Sequence, residues 1–491
     1  MSTVLVINSI KRNEWANKAF SSGDGVNSRL ENYLGSFPSL KTIELVAPGT
    51  AGCFPMAESL ECPDNCASLV AAFKEIFTNH SRIIYFWSDT PFLDSALTNE
   101  LIDHHHKYLS QYSFSDGWPL GLTPEILEKS ALEKLDLLSR GVTDPIKRDS
   151  LFSLIQKDIN AFDLETLIAP VDFRLLRLTL AADSKRNCLL LDRLDRAGLT
   201  SGASLAEKLL VNQDLLRTLP AFYQFQISSK RLQLPSYLPK PEFTDKDELL
   251  SREDFQTMIE KASRLSGDGV ISLSYWGEPS THPQIVELME DVLKFEDFRL
   301  LIETSGLGWN KEVLRSLIEK EGDRIDWVVE LDALDPALYK SLRGEGQVEV
   351  LDFINFLGEV CPDKLYVQTT RMAENEDYLE ALYQAWKEKP GQLIIKKYDH
   401  FCGTLPPRKV TELAPWDRNP CWHIKRDFSV LLDGTVLSCP ERLDRENPMG
   451  NLLKEEIEPV WERGNELYGN HLKGNYPSYC TKCDEYYTYN F

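Results

Sequence analysis

The sequence has no apolar run near the ~20 residues needed to cross a bilayer. Its first apolar stretch, residues 4–7, is far shorter than the core of a secretion signal. It also lacks any excess of positive charge: 54 Lys and Arg stand against 76 Asp and Glu, leaving −22. The resulting field repels nucleic-acid phosphates and anionic lipid. Neither nucleic acid nor a membrane is therefore expected as a partner, and the chain is placed in the cytoplasm. There is no low-complexity tract and no solenoid repeat. Ten cysteines in 491 residues are not the framework of a small secreted domain, and the cytosol keeps thiols reduced. Thiolate ligation of a metal is the better use for them.

What is present is an ordinary globular composition, with 42% hydrophobic, 10% aromatic and 26% charged residues. At ~150 residues per domain the length predicts about three domains. Short apolar runs alternate with amphipathic stretches, the pattern of an α/β chain with largely parallel sheets. Strands are expected at 4–7, 42–46 and 83–86, then at 223–227, 270–274, 300–302, 327–331, 365–369 and 393–396. The last six, about 30 residues apart, suit a partial (β/α)6 barrel. Residues 175–215 read as mostly helical. From 411 the pattern changes to short strands and loops, with a hairpin signal at Asp433-Gly434 between 430–432 and 436–437. The expected domains are 1–218, 219–410 and 411–491.

Four cysteines fall near the end of the chain. Cys480-x2-Cys483 puts two sulfurs on one tight turn, and Cys421 and Cys439 flank the hairpin, which brings them together at its open end. Four thiolates suit either tetrahedral zinc or an iron–sulfur cluster. Pro420-Cys421-Trp422, Asp433-Gly434 with Cys439, Gly450-Asn451, Val460-Trp461 and Cys480-Thr481-Lys482-Cys483 resemble the SPASM module of radical S-adenosylmethionine (SAM) enzymes. The ending from Cys483 through the aromatic run to Phe491 resembles the spirochaete proteins called spiro-SPASM. This resemblance implies that Cys421, Cys439, Cys480 and Cys483 hold one auxiliary [4Fe-4S] cluster. The aromatic run is read as packing against the module.

The middle block is similar to a radical SAM barrel over about residues 222–403. Ser251-Arg252-Glu253-Asp254-Phe255, Tyr275-Trp276-Gly277-Glu278-Pro279 with His282-Pro283, Glu303-Thr304-Ser305-Gly306, Leu331-Asp332, Asp335-Pro336 and Lys397-Tyr398-Asp399-His400 carry the likeness. It implies that Gly277 and Glu278 belong to a SAM-binding surface. The defining C-x3-C-x2-C is missing: Arg231, Pro235 and Leu238 stand at its three positions, although Tyr237 and Pro239 fit the pattern. None of the three ligates iron as a thiolate does, so ordinary reductive cleavage of SAM is not expected. Cys53, Cys62 and Cys66 do not reproduce the motif. They read as a cysteine-containing surface loop, with a second small metal site as the alternative.

The first block, about residues 1–199, resembles the cytidylyltransferases that activate acidic sugars and related polyol-phosphate enzymes, at 87–94, 115–125 and 172–179. The fold implied is a Rossmann-like nucleotidyltransferase domain. Asp89, directly after an apolar strand, is a reasonable Mg²⁺ ligand. The glycine- and arginine-rich triphosphate loop of that family is altered here: Lys11 and Arg12 follow the strand, but Gly23 and Gly25 come too late for a phosphate cradle. Lys11 and Arg12 read as solvated surface, and so does His104-His105-His106, since consecutive helical residues point different ways.

The leading function is a non-cleaving accessory or electron carrier of the radical SAM/SPASM family with one [4Fe-4S] cluster, acting with a protein or small-molecule substrate. Two alternatives stay open: an enzyme using SAM, a nucleotide or an activated sugar without the usual cluster, and a zinc-stabilised scaffold. No catalytic residue is assigned, and SAM and Mg²⁺ stay open as cofactors.

Overall fold

The structure, a computed structural model, describes residues 2–200, 203–244, 246–411 and 418–486. The chain divides into two compact units, Met1–Thr218 and Leu219–Phe491. Among the described residues no helix is long and apolar enough to cross a membrane.

The first unit is built on seven strands: β1 (Thr3–Asn8), β2 (Lys41–Val46), β3 (Glu58–Glu61), β4 (Arg82–Trp87), β5 (Tyr112–Asp116), β6 (Glu125–Glu128) and β7 (Leu164–Ile168). They form one sheet in the order β3-β2-β1-β4-β6-β5-β7. β1 lies parallel between β2 and β4, whereas β6 runs antiparallel to β4 and β5. Leu5 and Ile7 of β1 belong to the core on one face, Val4 and Val6 to the core on the other. Helices thus cover both faces, which is why the central strands read as unbroken apolar runs. The chain turns back between β1 and β4, so the carboxyl ends of these strands form a topological switch point.

The second unit begins with six parallel strands: β8 (Phe222–Phe225), β9 (Gly269–Ser272), β10 (Phe298–Thr304), β11 (Ile325–Glu330), β12 (Leu365–Arg371) and β13 (Gln392–Lys397). Helices separate them. The helix Arg252–Ser266 shows why one forms: Ser251 caps it by accepting from Asp254 N, and Glu253 and Asp254 favour its positive end. Phe255, Met258, Ile259, Ala262 and Leu265 make one buried face, and Gly267 at φ +80° ends it. Ser251-Arg252-Glu253-Asp254-Phe255, one of the segments that carry the likeness to a radical SAM barrel, is the capped start of this packed helix.

The expected third module is continuous with this sheet. β14 (Asp427–Val430) pairs parallel with β8, and β15 (Thr435–Leu437) and β16 (Gly450–Asn451) follow antiparallel, giving the order β13-β12-β11-β10-β9-β8-β14-β15-β16. An open barrel leaves a strand edge on β8, and the C-terminal hairpin satisfies it. Of the terminal aromatic run, Tyr486 is buried; residues 487–491 lie outside the described part.

Candidate metal centre

The β14–β15 hairpin closes through Leu431 N–H to Thr435 O at 2.9 Å and Gly434 N–H to Leu431 O at 2.9 Å. Gly434 takes φ +79°, and a Cβ there would meet Leu453 and Asn451, so the turn needs its glycine. Cys421 precedes the helix Trp422–Arg426 that leads into β14, and Cys439 follows β15. The second pair sits on a turn at Ser478–Cys480, where Cys483 N–H donates to Cys480 O at 3.1 Å. Trp422 N–H reaches Tyr486 O, and Cys421 N–H reaches His471 Nδ1, tying the two segments together. Cys421, Cys439 and Cys480 are buried; Cys483 is half-buried.

The four thiols lie in one electrostatic neighbourhood. Burial pushes Cys421 and Cys439 well above the ordinary thiol range and Cys480 up to about 12, and neighbouring cysteines raise all three further. Buried sulfurs so arranged resist ionisation unless a cation joins them. The donor set therefore fits a thiolate-bound metal. Among the described residues no three of these sulfurs lie within 4.8 Å of one another. A zinc tetrahedron with Zn–S bonds of about 2.3 Å has sulfur–sulfur edges of about 3.8 Å.

A fifth cysteine, Cys402, stands on the loop after β13, where its neighbour Gly403 lies against Lys482. The Cys402 and Cys483 thiols act on each other, which raises Cys402 above and lowers Cys483 below the ordinary thiol range. Around them stand Asp399, Glu441, Asp484 and Glu485. Burial raises Glu441 and Glu485, and Asp399 raises both further. Asp399, His400 and Asp484 have ligand atoms within 4.8 Å of one another, but Lys397 and Lys409 both pair with Asp484. Cations of the chain already occupy that acidic group.

In the barrel, Gly277 lies so close to the Ser228 backbone that a side chain would collide with its carbonyl. Glu278 is buried and accepts from Thr304 Oγ1 at 2.6 Å, Ser305 Oγ at 2.6 Å and Ser305 N at 2.8 Å. Its carboxylate thus clamps the end of β10 onto the end of β9. Arg231 stacks over Trp276, 5.5 Å from the ring centroid, and Nη1 donates to Pro239 O at 3.4 Å. Beside it Arg343 donates to Glu330, Asp332, Tyr237 and Gln233 at 2.6 to 3.0 Å. A cavity of about 510 Å³ opens here, lined by Arg231, Leu232, Gln233, Leu234, Arg343 and Glu345 among others. Lys396 is accessible, yet Glu303 and Glu330 face it and hold its charge.

In the first unit Asp89 sits at the switch point, after β4. Its two oxygens accept from Arg148 Nη1 and Nη2 at 3.1 and 2.7 Å, and Nη2 also reaches Asp183 at 2.9 Å. Lys11 pairs with Asp64 at 2.9 Å, while Arg12 donates to Ser88 O, Ala16 O and Asn27. Arg12 is thus inside the fold and not solvated surface. The solvated reading also fails for His105, which is 1% exposed and bonded to Ser113 Oγ and Glu128 Oε1. Its helix lays that one face onto β5 and β6. Cys62 and Cys66 are likewise core residues, 1% and 5% exposed, and not members of a surface loop.

Residues 421–484 match the SPASM family, an iron–sulfur cluster-binding domain. An uncharacterised protein of Treponema pallidum (strain Nichols) is 37% identical over 358 residues, which cover 70% of this chain and 98% of that protein. Among solved structures, Streptococcus suis SuiB is similar at 15% identity and a TM-score of 0.43, over 60% of this chain and 80% of that one. Native anSMEcpe with bound AdoMet is similar at 13% identity and a TM-score of 0.40, over 51% of this chain and 82% of that one.

Proposed function

The chain belongs to the same family as the Treponema pallidum protein and carries a SPASM iron–sulfur domain; from that premise we propose that it is an accessory or electron-carrying protein holding one [4Fe-4S] cluster on Cys421, Cys439, Cys480 and Cys483. The observation that carries this reading is the convergence of four thiols from three separate segments into one buried place. A four-thiolate set accommodates a cluster whose four irons each take one thiolate, and the match to an iron–sulfur cluster-binding domain favours that over zinc. The cluster would supply one-electron transfer, and this chain's part is to hold it beside the buried carboxyl groups Glu441 and Glu485.

The barrel does not cleave SAM reductively in this reading, because Arg231, Pro235 and Leu238 offer no thiolate. The SAM-like surface at Gly277 and Glu278 is assigned by resemblance, and Glu278 has most of its acceptor capacity committed to Thr304 and Ser305. A Mg²⁺ ion at Asp89 has to displace the bidentate Arg148. The partner is a protein or small molecule that receives the electron or is presented for reaction elsewhere.

Anaerobic purification with iron, labile-sulfide and zinc analysis tests the centre. Iron and sulfide in equal amounts are expected, lost in Cys439→Ala and unchanged in Cys188→Ala. One zinc without sulfide overturns the cluster in favour of a zinc-stabilised scaffold. Formation of 5′-deoxyadenosine from SAM under strong reductant, lost on changing Glu278, overturns the non-cleaving reading.

A further inference from the structure

Two guanidinium groups flank the Cys480 corner of the metal centre, each stacked on a tyrosine of the segment that leads into it. Arg442 lies three residues after Cys439, and its backbone N–H donates to Cys439 O at 3.3 Å. Its guanidinium stands 4.4 Å from the ring centroid of Tyr479, the residue before Cys480. The Tyr479 hydroxyl in turn meets Ser438 Oγ, beside Cys439, at 3.4 Å. Arg418 lies three residues before Cys421, and its guanidinium stands 4.3 Å from the Tyr476 ring and 4.7 Å from the Tyr486 ring. Tyr486 packs with Cys421. Tyr476 meets the His471 ring edge-on at 4.9 Å, and His471 Nδ1 accepts from Cys421 N–H at 3.4 Å. Aromatic faces thus fix each cation between the Cys480 turn and one other cysteine segment.

Neither guanidinium has all its donors in use. The Nε atoms of Arg418 and Arg442 are both buried, and among the described residues neither meets an acceptor. A buried N–H left without an acceptor costs about 1–3 kcal/mol. Two of them around one cysteine point to an acceptor that the polypeptide does not itself supply. The positive charges of both arginines also reach Cys480 and oppose the effect of its burial. Cluster and thiolate sulfurs accept hydrogen bonds, and those bonds, together with nearby charge, set the reduction potential. Resting on the cluster reading above, we infer that Arg418 and Arg442 donate their Nε–H groups to sulfur at the Cys480 corner and hold the cluster's reduction potential up. They are positioning residues and not iron ligands. One electron from a low-potential donor adds one negative charge to the centre, with no proton transferred and no bond to the protein made or broken. Two fixed cations favour that more negative state.

The test uses the full chain, purified anaerobically. Iron and labile sulfide per chain establish loading, and a dithionite titration with redox mediators, followed by visible absorbance, reads the potential. Arg418→Gln and Arg442→Gln should load as the wild type does, yet each should favour the oxidised cluster about tenfold more, a downward shift of about 59 mV for one electron. Arg418→Lys and Arg442→Lys keep the charge and should recover at least about half of that shift. Arg315→Gln, an exposed change on the helix Lys311–Glu321, should leave the potential unchanged, which separates local charge from net charge. Loaded glutamine variants with the wild-type potential overturn the inference alone. Lysine variants that lose iron together with the glutamine ones also overturn it, since the role is then only structural. A wild-type chain holding zinc and no sulfide overturns the cluster reading and the inference with it. A second measurement needs no variant. In reduced wild-type chain labelled with guanidino-¹⁵N arginine, pulsed electron paramagnetic resonance should show ¹⁵N coupled to the cluster. A reduced cluster without that coupling overturns the inference.

Discussion

Arg343 shows how much one side chain decides in this molecule. It is buried, and it makes four hydrogen bonds, to Glu330 and Asp332 on the β11 end and to Gln233 and Tyr237 on the loop after β8. Burial opposes its charge, but Tyr237, Glu330 and Asp332 outweigh that and hold it ionised. The loop after β8 is thus fastened by a guanidinium. Arg343→Met removes the guanidinium between Glu330 and Asp332 and leaves the buried Asp332 without its ion-pair partner, and should cost about 3–5 kcal/mol in urea unfolding. A loss under about 1 kcal/mol would show that the network is solvated in solution. At this scale the sequence was legible where chemistry is local. The two cysteines of one turn and the pair flanking one hairpin are visible by spacing. Cys402 is not, because its place depends on a loop 78 positions before Cys480 folding back against it. Asp89 was recognisable as a strand-end acid, but its guanidinium partner Arg148 is remote in sequence.

Among the elements, β8 and β9 end in a contact that tolerates no side chain at Gly277. Gly277→Ala must push two backbone segments apart, and a destabilisation above about 3 kcal/mol by thermal unfolding is expected. A near-neutral variant would mean that these strand ends are mobile. On β6, burial pushes the Glu125 carboxyl up to about 7, and Tyr112 and Asp149 also act on it. Because the folded value lies above the unfolded one, its contribution is complete below about 4.5 and is lost as pH rises through 7. Wild type should therefore lose up to about 3 kcal/mol relative to Glu125→Gln between pH 4.5 and 8. Parallel pH–stability curves for the two chains would refute it. The expected strands at 4–7, 83–86 and 365–369 lie inside observed strands, since buried parallel strands are apolar throughout. β3 and β6, ESLE and EILE, carry too little apolar pattern to be read and exist because neighbours pair with them.

For the molecule as a whole, the first unit keeps a switch point but fills it with its own ion pairs. With CTP and an acidic sugar or polyol phosphate, pyrophosphate release should stay well below ~1 per second, the low end of ordinary enzymatic rates. Turnover above that in a continuous phosphate-release assay would restore a catalytic role to the first unit.

By itself the sequence determined the α/β class, a likeness at the C-terminus strong enough to point to four particular cysteines, and the absence of cysteine at positions 231, 235 and 238. Each of these is a matter of residue type, period or short spacing, which survive without coordinates. The tertiary structure alone decided that the C-terminal hairpin extends the barrel sheet, since strand pairing between β8 and β14 joins residues about 200 positions apart. It also decided which charges are already answered: Asp89 by Arg148, Asp484 by Lys397 and Lys409, and Glu330 by Arg343. Whether an ionisable group is free for a ligand depends on neighbours within a few ångströms, and in this chain those neighbours come from distant parts of the sequence.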